Sequence, residues 1–175
     1  MKKENFFFVV DNFFKQDYFE KLKNKVIQQN YLPRTVDYEG DSQKLYHHIP
    51  LDTKDSHCQH TYKTIKKQFN HEINFDNMYV QSFFFLSFGH ETPNIHQDSC
   101  MFNCMIYIQG ENLLQNGTSF YIKDKDEQFV LHSVLGFQEN RAVLFDGSIY
   151  HASSQYMNAS NPRYIMTNFI WSKND

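Results

Sequence analysis

The chain has 175 residues, a net charge of −3 and three cysteines. That length predicts one domain, residues 1–175, and the lack of a long basic block argues against a nucleic-acid partner. No apolar run is long enough to span a membrane, no secretory signal opens the chain and the cysteines form no disulfide framework, so we expect a cytoplasmic protein.

The first seventy residues carry one strand pattern and two helix patterns. The run "FFFVVDNFF" is aromatic and β-branched and is closed by Asp11-Asn12, which predicts a strand. Apolar side chains recur at helical spacing in residues 16–29 and again in residues 55–69, so each segment is predicted to be an amphipathic helix. The apolar faces are Phe19, Leu22 and Val26 in the first helix, and Cys58, Tyr62, Ile65 and Phe69 in the second.

A polar segment, residues 31–55, joins the two helices and is punctuated by two prolines and a glycine. Loops held on a rigid scaffold often carry functional residues. The segment is therefore predicted to be either a lid over a functional site or a plain connector. Its candidate side chains are Arg34, Tyr46, His47 and His48.

From Met78 onward the chain consists of short apolar runs separated by turn signals. Such strands at regular spacing predict a β-sandwich or a β-barrel. Two helices therefore lead into a mostly antiparallel β domain. The runs are "MYVQSFFFLSF", "SCMFNCMIYI", "TSFYI", "FVLHSVLGF", "RAVLF" and "RYIMTNFIW".

The stretch "NIHQDS" places His96 and Asp98 two residues apart, and "FDGSIYHASS" places His151 far downstream. In an extended strand, alternate side chains share one face, so His96 and Asp98 could both point at one ion. Two imidazoles and one carboxylate leave three metal positions open, which is the ligand set of non-haem Fe(II) sites. The alternative is a chance His-x-Asp pattern in a surface turn after Pro93.

Other histidines offer weaker candidates for a metal site. His57, Cys58 and His60 lie together on the second predicted helix, but no matched ligand spacing elsewhere supports a zinc site. His90 falls on a predicted turn and His132 in a predicted strand, and both are interpreted as structural or solvent-facing.

Arg163 follows His151 by twelve residues, in "NPRYIMTNFIW". An arginine that enters a closing strand offers a fixed fork of donors to a carboxylate. The alternative is an ordinary surface arginine at the start of a strand.

In this order, the motifs resemble the Fe(II)/2-oxoglutarate-dependent oxygenases, most nearly the small prolyl-4-hydroxylase-like branch. That family's pattern is His-x-Asp, a distal His, and an Arg or Lys about ten residues later, which His96, Asp98, His151 and Arg163 match. The resemblance covers nearly the whole chain in order. Its segments are "FFFVVDNFF", "FFFLSFGHETPNIHQD", "CMIYIQGENLLQNGTSFY" and "NRAVLFDGSIYHASS".

The resemblance implies a mainly β fold, a double-stranded β-helix (jelly roll) with N-terminal support helices. It implies that His96, Asp98 and His151 bind Fe(II) and that Arg163 binds the distal carboxylate of 2-oxoglutarate. Tyr107 is placed like a family tyrosine that hydrogen-bonds the same carboxylate, with a core aromatic as the equal alternative. Two weaker cosubstrate contacts, which depend on strand register, are Asn103 and Thr167.

The resemblance also implies an activity. With Fe(II), 2-oxoglutarate and O₂, the protein would hydroxylate a C–H bond and release succinate and CO₂. The substrate would be a residue of a peptide or protein, with proline as one candidate, or a small molecule; no membrane is implied as a partner.

Two features depart from the family pattern. The second position after Arg163, often Ser in the family, is Ile165 here. The strand before His96 has phenylalanines where relatives often place a Tyr, so fewer hydroxyl groups are expected around the cosubstrate. These phenylalanines are Phe83, Phe84, Phe85 and Phe88.

Three other functions remain open at this stage. A catalytically idle jelly-roll module could hold a small ligand in the same pocket. A cupin-like metal-dependent enzyme would bind the metal without 2-oxoglutarate, although cupins usually have several His and a Glu. A nucleic-acid demethylase of the AlkB kind would be expected to carry a more basic face.

Overall fold

The computed structural model describes residues 7–31, 33–35, 45–87, 95–154 and 162–173. These residues contain ten β-strands, two α-helices and one 3-10 helix (Leu114–Asn116). Side chains at 33–35 and 45–48 lie outside that description. The helices are α1 (Gln16–Ile27) and α2 (Ser56–Phe69). The strands are β1 (Phe7–Val10), β2 (Pro33–Thr35), β3 (Leu45–Pro50), β4 (Met78–Ser87), β5 (Phe102–Gln109), β6 (Thr118–Lys123), β7 (Phe129–Leu135), β8 (Ala142–Asp146), β9 (Tyr150–Ser153) and β10 (Arg163–Ser172).

The strands form two antiparallel sheets. The larger sheet has the order β1-β8-β5-β10-β4-β3-β2, and the smaller has the order β7-β6-β9. From β5 to β10 the chain passes back and forth between the two sheets, which is the winding of a double-stranded β-helix. The predicted mainly β jelly roll with N-terminal helices is confirmed.

Both predicted helices form. α1 ends at Ile27, two residues before the predicted end, and α2 begins after Asp55, whose side chain accepts hydrogen bonds from two backbone N–H groups of the first turn. Such a cap satisfies donors that have no partner within the helix. The buried face of α1 is the predicted one. In α2, Thr61 is buried where Tyr62 was predicted, while the Tyr62 hydroxyl donates to the carbonyl of Met78. No described helix is both long and apolar enough to cross a membrane.

The two faces of the larger sheet have different partners. On one face, side chains such as Phe84, Ile106 and Met166 pack with residues of both helices in the main core. On the other face, Met105, Val143 and Phe145 pack against Phe120 of the smaller sheet. Because side chains alternate along a strand, β1, β5, β8 and β10 contribute residues to both layers. The inner layer is the one that can form a site between the sheets.

Two predicted segments form strands at the edges of the sheets. The run "FVLHSVLGF" forms β7, but its first four residues are exposed because β7 lies at the edge of the smaller sheet. The predicted lid or connector contributes β2 and β3, which extend the larger sheet beyond β4. Residues 36–44 and the side chains of its four candidates lie outside the described residues, so the choice between lid and connector stays a prediction.

Asn140 joins the start of α1 to the β7–β8 turn. Its side chain accepts a hydrogen bond from the backbone N–H of Phe14 and donates one to the carbonyl of the same residue, both at 2.9 Å. It is buried, and its backbone has a φ of 60°, in the left-handed region. Two buried backbone groups therefore depend on one side chain in a conformation that few residues adopt without strain.

We expect Asn140→Ala to lower the free energy of unfolding by about 3 kcal/mol, since it removes both buried hydrogen bonds and leaves a Cβ at positive φ. Asn140→Gly removes the same bonds without the backbone strain, so its loss should be about 1 kcal/mol smaller. Urea unfolding followed by circular dichroism measures both. Wild-type stability in both variants would show that the side chain does not hold this junction.

Candidate metal centre

A pair of backbone hydrogen bonds joins the two histidines of the predicted triad. The N–H of His96 donates to the carbonyl of His151 at 3.0 Å, and the N–H of His151 donates to the carbonyl of His96 at 2.9 Å. This isolated antiparallel bridge extends the smaller sheet beyond β9. Both side chains can then lie on the same face of that sheet.

The three predicted ligand side chains converge. The Nε2 atom of His96 lies 3.7 Å from Oδ1 of Asp98, and the Nε2 atom of His151 lies 3.5 Å from Oδ2. One donor atom from each residue lies within 4.8 Å of the other two. Donors that share an ion at bonds of about 2.1 Å lie within about 4.2 Å of one another. Two imidazoles and a carboxylate at these separations fit a divalent cation after a small closure.

Asp98 is held in place by the turn that precedes His151. Its backbone N–H donates to the carbonyl of Gly147 at 2.8 Å, and the N–H of Gly147 donates to Met101 at 3.1 Å. A Cβ at position 147 would collide with the carbonyl oxygen of Cys100. The glycine of "FDGSIY" therefore allows the close approach of the two segments that carry the candidate ligands.

Two hydrogen bonds orient the candidate ligands. His151 is buried, and its Nδ1 lies 2.9 Å from the carbonyl of Ile149. Donation from Nδ1 leaves the Nε2 lone pair directed toward the site. Burial also lowers the pKa of His151, although the nearby carboxylate of Asp98 acts in the opposite direction. The neutral imidazole, which is the form that binds metals, is therefore favoured. The Nδ2 of Asn103 donates to Oδ2 of Asp98 at 2.7 Å, while its Oδ1 is buried with no hydrogen-bond partner in the described chain.

Arg163 is buried at the start of β10 and lines the same cavity. Its Nη1 donates to the carbonyls of Asn116 at 3.1 Å and Gly117 at 2.6 Å, and its Nη2 donates to the hydroxyl of Ser153 at 2.5 Å. These contacts fix the plane of the guanidinium, and a fixed plane is what bidentate carboxylate binding needs. The alternative of a surface arginine is wrong.

The cavity at the triad has a volume of about 240 Å³. Thr167 lines it, whereas Tyr107 does not: the Tyr107 hydroxyl donates to Oγ1 of Thr118 at 2.8 Å, and Thr118 faces the cavity. Burial raises the pKa of the Tyr107 hydroxyl, which remains a neutral donor. The lining residues are Phe85, Leu86, Ser87, His96, Asp98, Asn103, Met105, Thr118, His151, Ala152, Ser153, Arg163, Ile165, Thr167 and Phe169.

The other histidine candidates lie away from this cavity or outside the described residues. His57 contacts the hydroxyl of Tyr18 at 3.0 Å, and the ring of His60 lies over the same tyrosine. Among the described residues, the group of His, Cys, Asp and Glu side chains that could hold a metal is the triad. His132 is exposed, as predicted. His90 and Phe88 lie outside the described residues.

The cavity residues that sequence reasoning missed include Thr118 and Ser153, which contact Tyr107 and Arg163, and the ring of Phe169. A partial signal was present. Alternate residues of a strand share one face, so each strand's inward residues can be listed once one of them is known. In β5 these are Asn103, Met105 and Tyr107, and in β10 they are Ile165, Thr167 and Phe169.

No protein-family profile matches the chain, and no curated protein matches it by sequence. Solved structures do match it. A prolyl-4-hydroxylase from Pseudomonas putida has 14% identity and a TM-score of 0.64, over 93% of this chain and 91% of that chain. HygX from Streptomyces hygroscopicus, with nickel and 2-oxoglutarate bound, has 9% identity and a TM-score of 0.68, over 95% and 82%.

A third match is a prolyl hydroxylase from Trichoplax adhaerens in complex with a peptide of hypoxia inducible factor. It has 12% identity and a TM-score of 0.66, over 96% of this chain and 84% of that chain. At such identities the likeness establishes the fold. The chain has the double-stranded β-helix of the prolyl hydroxylase and 2-oxoglutarate-binding structures that it matches.

Proposed function

We propose that this chain, as a single domain of residues 1–175, is an Fe(II)- and 2-oxoglutarate-dependent dioxygenase that hydroxylates a C–H bond. One observation carries the proposal: two imidazoles and a carboxylate converge in the cavity that a buried arginine also lines. The matched fold supports it, because HygX carries nickel and 2-oxoglutarate in the same architecture.

The donor set matches that of non-haem Fe(II) sites. Three protein ligands from His96, Asp98 and His151 would leave three positions of an octahedral ion for other ligands. When bound, Fe(II) with 2-oxoglutarate and O₂ supplies oxidative decarboxylation coupled to hydroxylation, with succinate and CO₂ as coproducts. The protein contributes binding, orientation and a dry cavity.

The chain's own residues have separate tasks in this proposal. Asn103 and the carbonyl of Ile149 fix the orientation of two metal ligands. Arg163 binds the distal carboxylate of 2-oxoglutarate. Tyr107 acts through Thr118, whose hydroxyl it orients toward the cavity. Thr167 is a further cosubstrate contact, and its position on the cavity wall supports that role.

Ile165 lines the cavity where the family often has Ser. The hydroxyl that this serine would offer is therefore absent from β10. Two other hydroxyls, those of Thr118 and Ser153, face the same cavity, and Ser153 already accepts a hydrogen bond from Arg163. We propose that these two compensate for the substitution, so that 2-oxoglutarate remains the cosubstrate.

The substrate is proposed to be a peptide or protein residue or a small molecule. The matched structures include both kinds: one holds a peptide of hypoxia inducible factor, and HygX has been solved with hygromycin B. The charge of −3 does not favour a nucleic-acid substrate.

Metal binding is tested by anaerobic titration of the metal-free protein with Fe(II). We expect Asp98→Ala to weaken Fe(II) binding by more than about 100-fold, because even the loss of an outer hydrogen-bond partner weakens metal affinity by about 10- to 100-fold. Asp126→Ala, in the exposed β6–β7 turn, is the matched control and should bind as the wild type does. Unchanged affinity in Asp98→Ala would remove the metal site from this cavity.

Asn103→Ala tests the positioning of Asp98 separately from ligation. It should weaken Fe(II) binding by about 10- to 100-fold while all three ligands remain. Asn103→Asp places a carboxylate beside Asp98 and should not restore the affinity, since the donating amide is lost. Wild-type affinity in Asn103→Ala would show that Asp98 needs no support from β5.

Cosubstrate binding is tested by adding 2-oxoglutarate to the Fe(II) protein and recording the weak visible charge-transfer band. We expect the band in the wild type, and in Arg163→Lys a loss of 2-oxoglutarate affinity of about 10- to 100-fold, because the point charge replaces the fixed fork. Fe(II) binding itself should not change. Iron binding without the band in the wild type would indicate a cupin-like enzyme, and a band without any succinate formation would indicate an idle binding module.

A further inference from the structure

Met105 is the one methionine, of the four that the structure describes, that lines the cavity of the candidate metal centre. It lies on β5, opposite Thr167 of β10 and Val143 of β8. Thr167 lines the same cavity, and Met105 is 6% exposed. The side chain of Met105 therefore borders the cavity but is almost closed to the bulk solvent.

Met105 lies next to the supports of two candidate ligands. Asn103 comes two residues earlier on the same face of β5, about 7 Å away along the strand, and donates to Asp98. Met105 also belongs to the inner core cluster of Phe145, whose ring centroid lies 4.7 Å from that of His151. The sulfur therefore shares its layer with the metal ligands and not with the helix-facing core.

The thioether is the most easily oxidised apolar group in this cavity. Its sulfur accepts an oxygen atom through a lone pair, with no bond broken, and becomes a sulfoxide. The other apolar side chains can gain a hydroxyl group only if a C–H bond is broken. Those that line the cavity are Phe85, Leu86, Ala152, Ile165 and Phe169.

We infer, resting on the proposed function, that the protein's own reaction oxidises Met105 to methionine sulfoxide when the cavity holds 2-oxoglutarate but no substrate. One atom of O₂ enters succinate and the other forms the S–O bond, while the carboxyl carbon leaves as CO₂. Of the four electrons that reduce O₂, two come from the oxidative decarboxylation and two from the sulfur. No bond of the protein breaks and no proton is transferred.

The sulfoxide would damage the site that produced it. Oxidation turns a flexible apolar side chain into a polar one, which disrupts the packing of a core. The apolar partners of Met105 offer the new oxygen no hydrogen bond, so its burial is costly. These partners are Phe120, Val143, Phe145 and Ile149. Reaction without substrate should therefore inactivate the protein.

The position of the sulfur is tested without turnover, by NMR of protein that carries ¹³C-methyl methionine. Co(II), which is paramagnetic, replaces Fe(II), and Zn(II) provides the diamagnetic reference. Of the described methionines, Met105 should show the largest paramagnetic shift of its methyl signal, because this effect falls steeply with distance from the metal. Met105→Leu assigns the signal. A larger shift for Met101 or Met166 would overturn the inference.

The oxidation is tested by incubating the Fe(II) protein with 2-oxoglutarate and ¹⁸O₂, without substrate and with catalase present, before mass spectrometry of its peptides. Met101, which is 44% exposed, and Met166, which is buried in the helix-facing core, are internal controls. Because oxidants in solution attack exposed methionines first, we expect about tenfold more ¹⁸O-labelled sulfoxide at Met105 than at Met101 only if the oxidation arises within the cavity. Omission of 2-oxoglutarate, or Asp98→Ala, should abolish the label at Met105.

Met105→Leu removes the sulfur and conserves the volume of the side chain, a change that cores tolerate well. Without substrate, succinate formation should stop early in the wild type and continue severalfold longer in Met105→Leu. Met101→Leu is the matched control and should stop as the wild type does. An identical time course in Met105→Leu and the wild type would overturn the link between this oxidation and inactivation.

Succinate measured in the same samples separates the inference from the proposed function. The inference alone falls if succinate forms while Met105 stays unmodified, while the sulfoxide lies mainly at Met101, or while Met105 is oxidised equally without 2-oxoglutarate. If no succinate forms, the proposed function and the inference fall together.

Discussion

The two backbone hydrogen bonds between His96 and His151 are the constraint on which the site depends. They bring together residues that are 55 positions apart in the chain, and they do so without using the side chains that would bind a metal. The turn before His151 adds a third contact, from Asp98 to Gly147, which requires a residue without a Cβ at that point. The candidate ligands are thus positioned by the smaller sheet's own ladder, and the ligand atoms remain available for coordination.

The two faces of the larger sheet have different roles. The helix-facing side holds the main core, including a buried polar chain in which Ser82 donates to Asn168 and Asn168 donates to the carbonyl of Cys104. The opposite side of the sheet, which faces the smaller sheet, contributes less to stability around Phe83 and Phe169, because both rings remain partly exposed. Because one face of the sheet supplies the main core, the other face can carry polar ligands and partly exposed apolar side chains. Such side chains would weaken a fold that needed both faces for its core.

Local patterns predicted most of the fold, because helical spacing and strand alternation each depend on a few neighbouring residues. The triad could be predicted because His96 and Asp98 are close in the sequence and the family resemblance supplied His151. The contacts of Tyr107 and Arg163 could not be predicted from the sequence. They depend on Thr118 and Ser153, which lie in the other sheet, and on a shift of register between β5 and β10 after Tyr164. Such irregularities follow from packing of the whole sheet, which a single sequence does not state.

Among the residues that the structure describes, no strand pairs with the outer side of β7, the edge strand of the smaller sheet. This strand presents Phe129, Val130 and Leu131 in a row at 42%, 44% and 53% exposure. Uncharged apolar edges of this kind are templates for intermolecular β-pairing. The adjoining turn, "DKDEQ", is densely charged, and Lys123 lies over the ring of Phe129 at 5.6 Å. Charges that flank an apolar strand act as gatekeepers against aggregation. Removing all the charges of this turn together, rather than one of them, is therefore expected to make the edge more prone to intermolecular β-pairing.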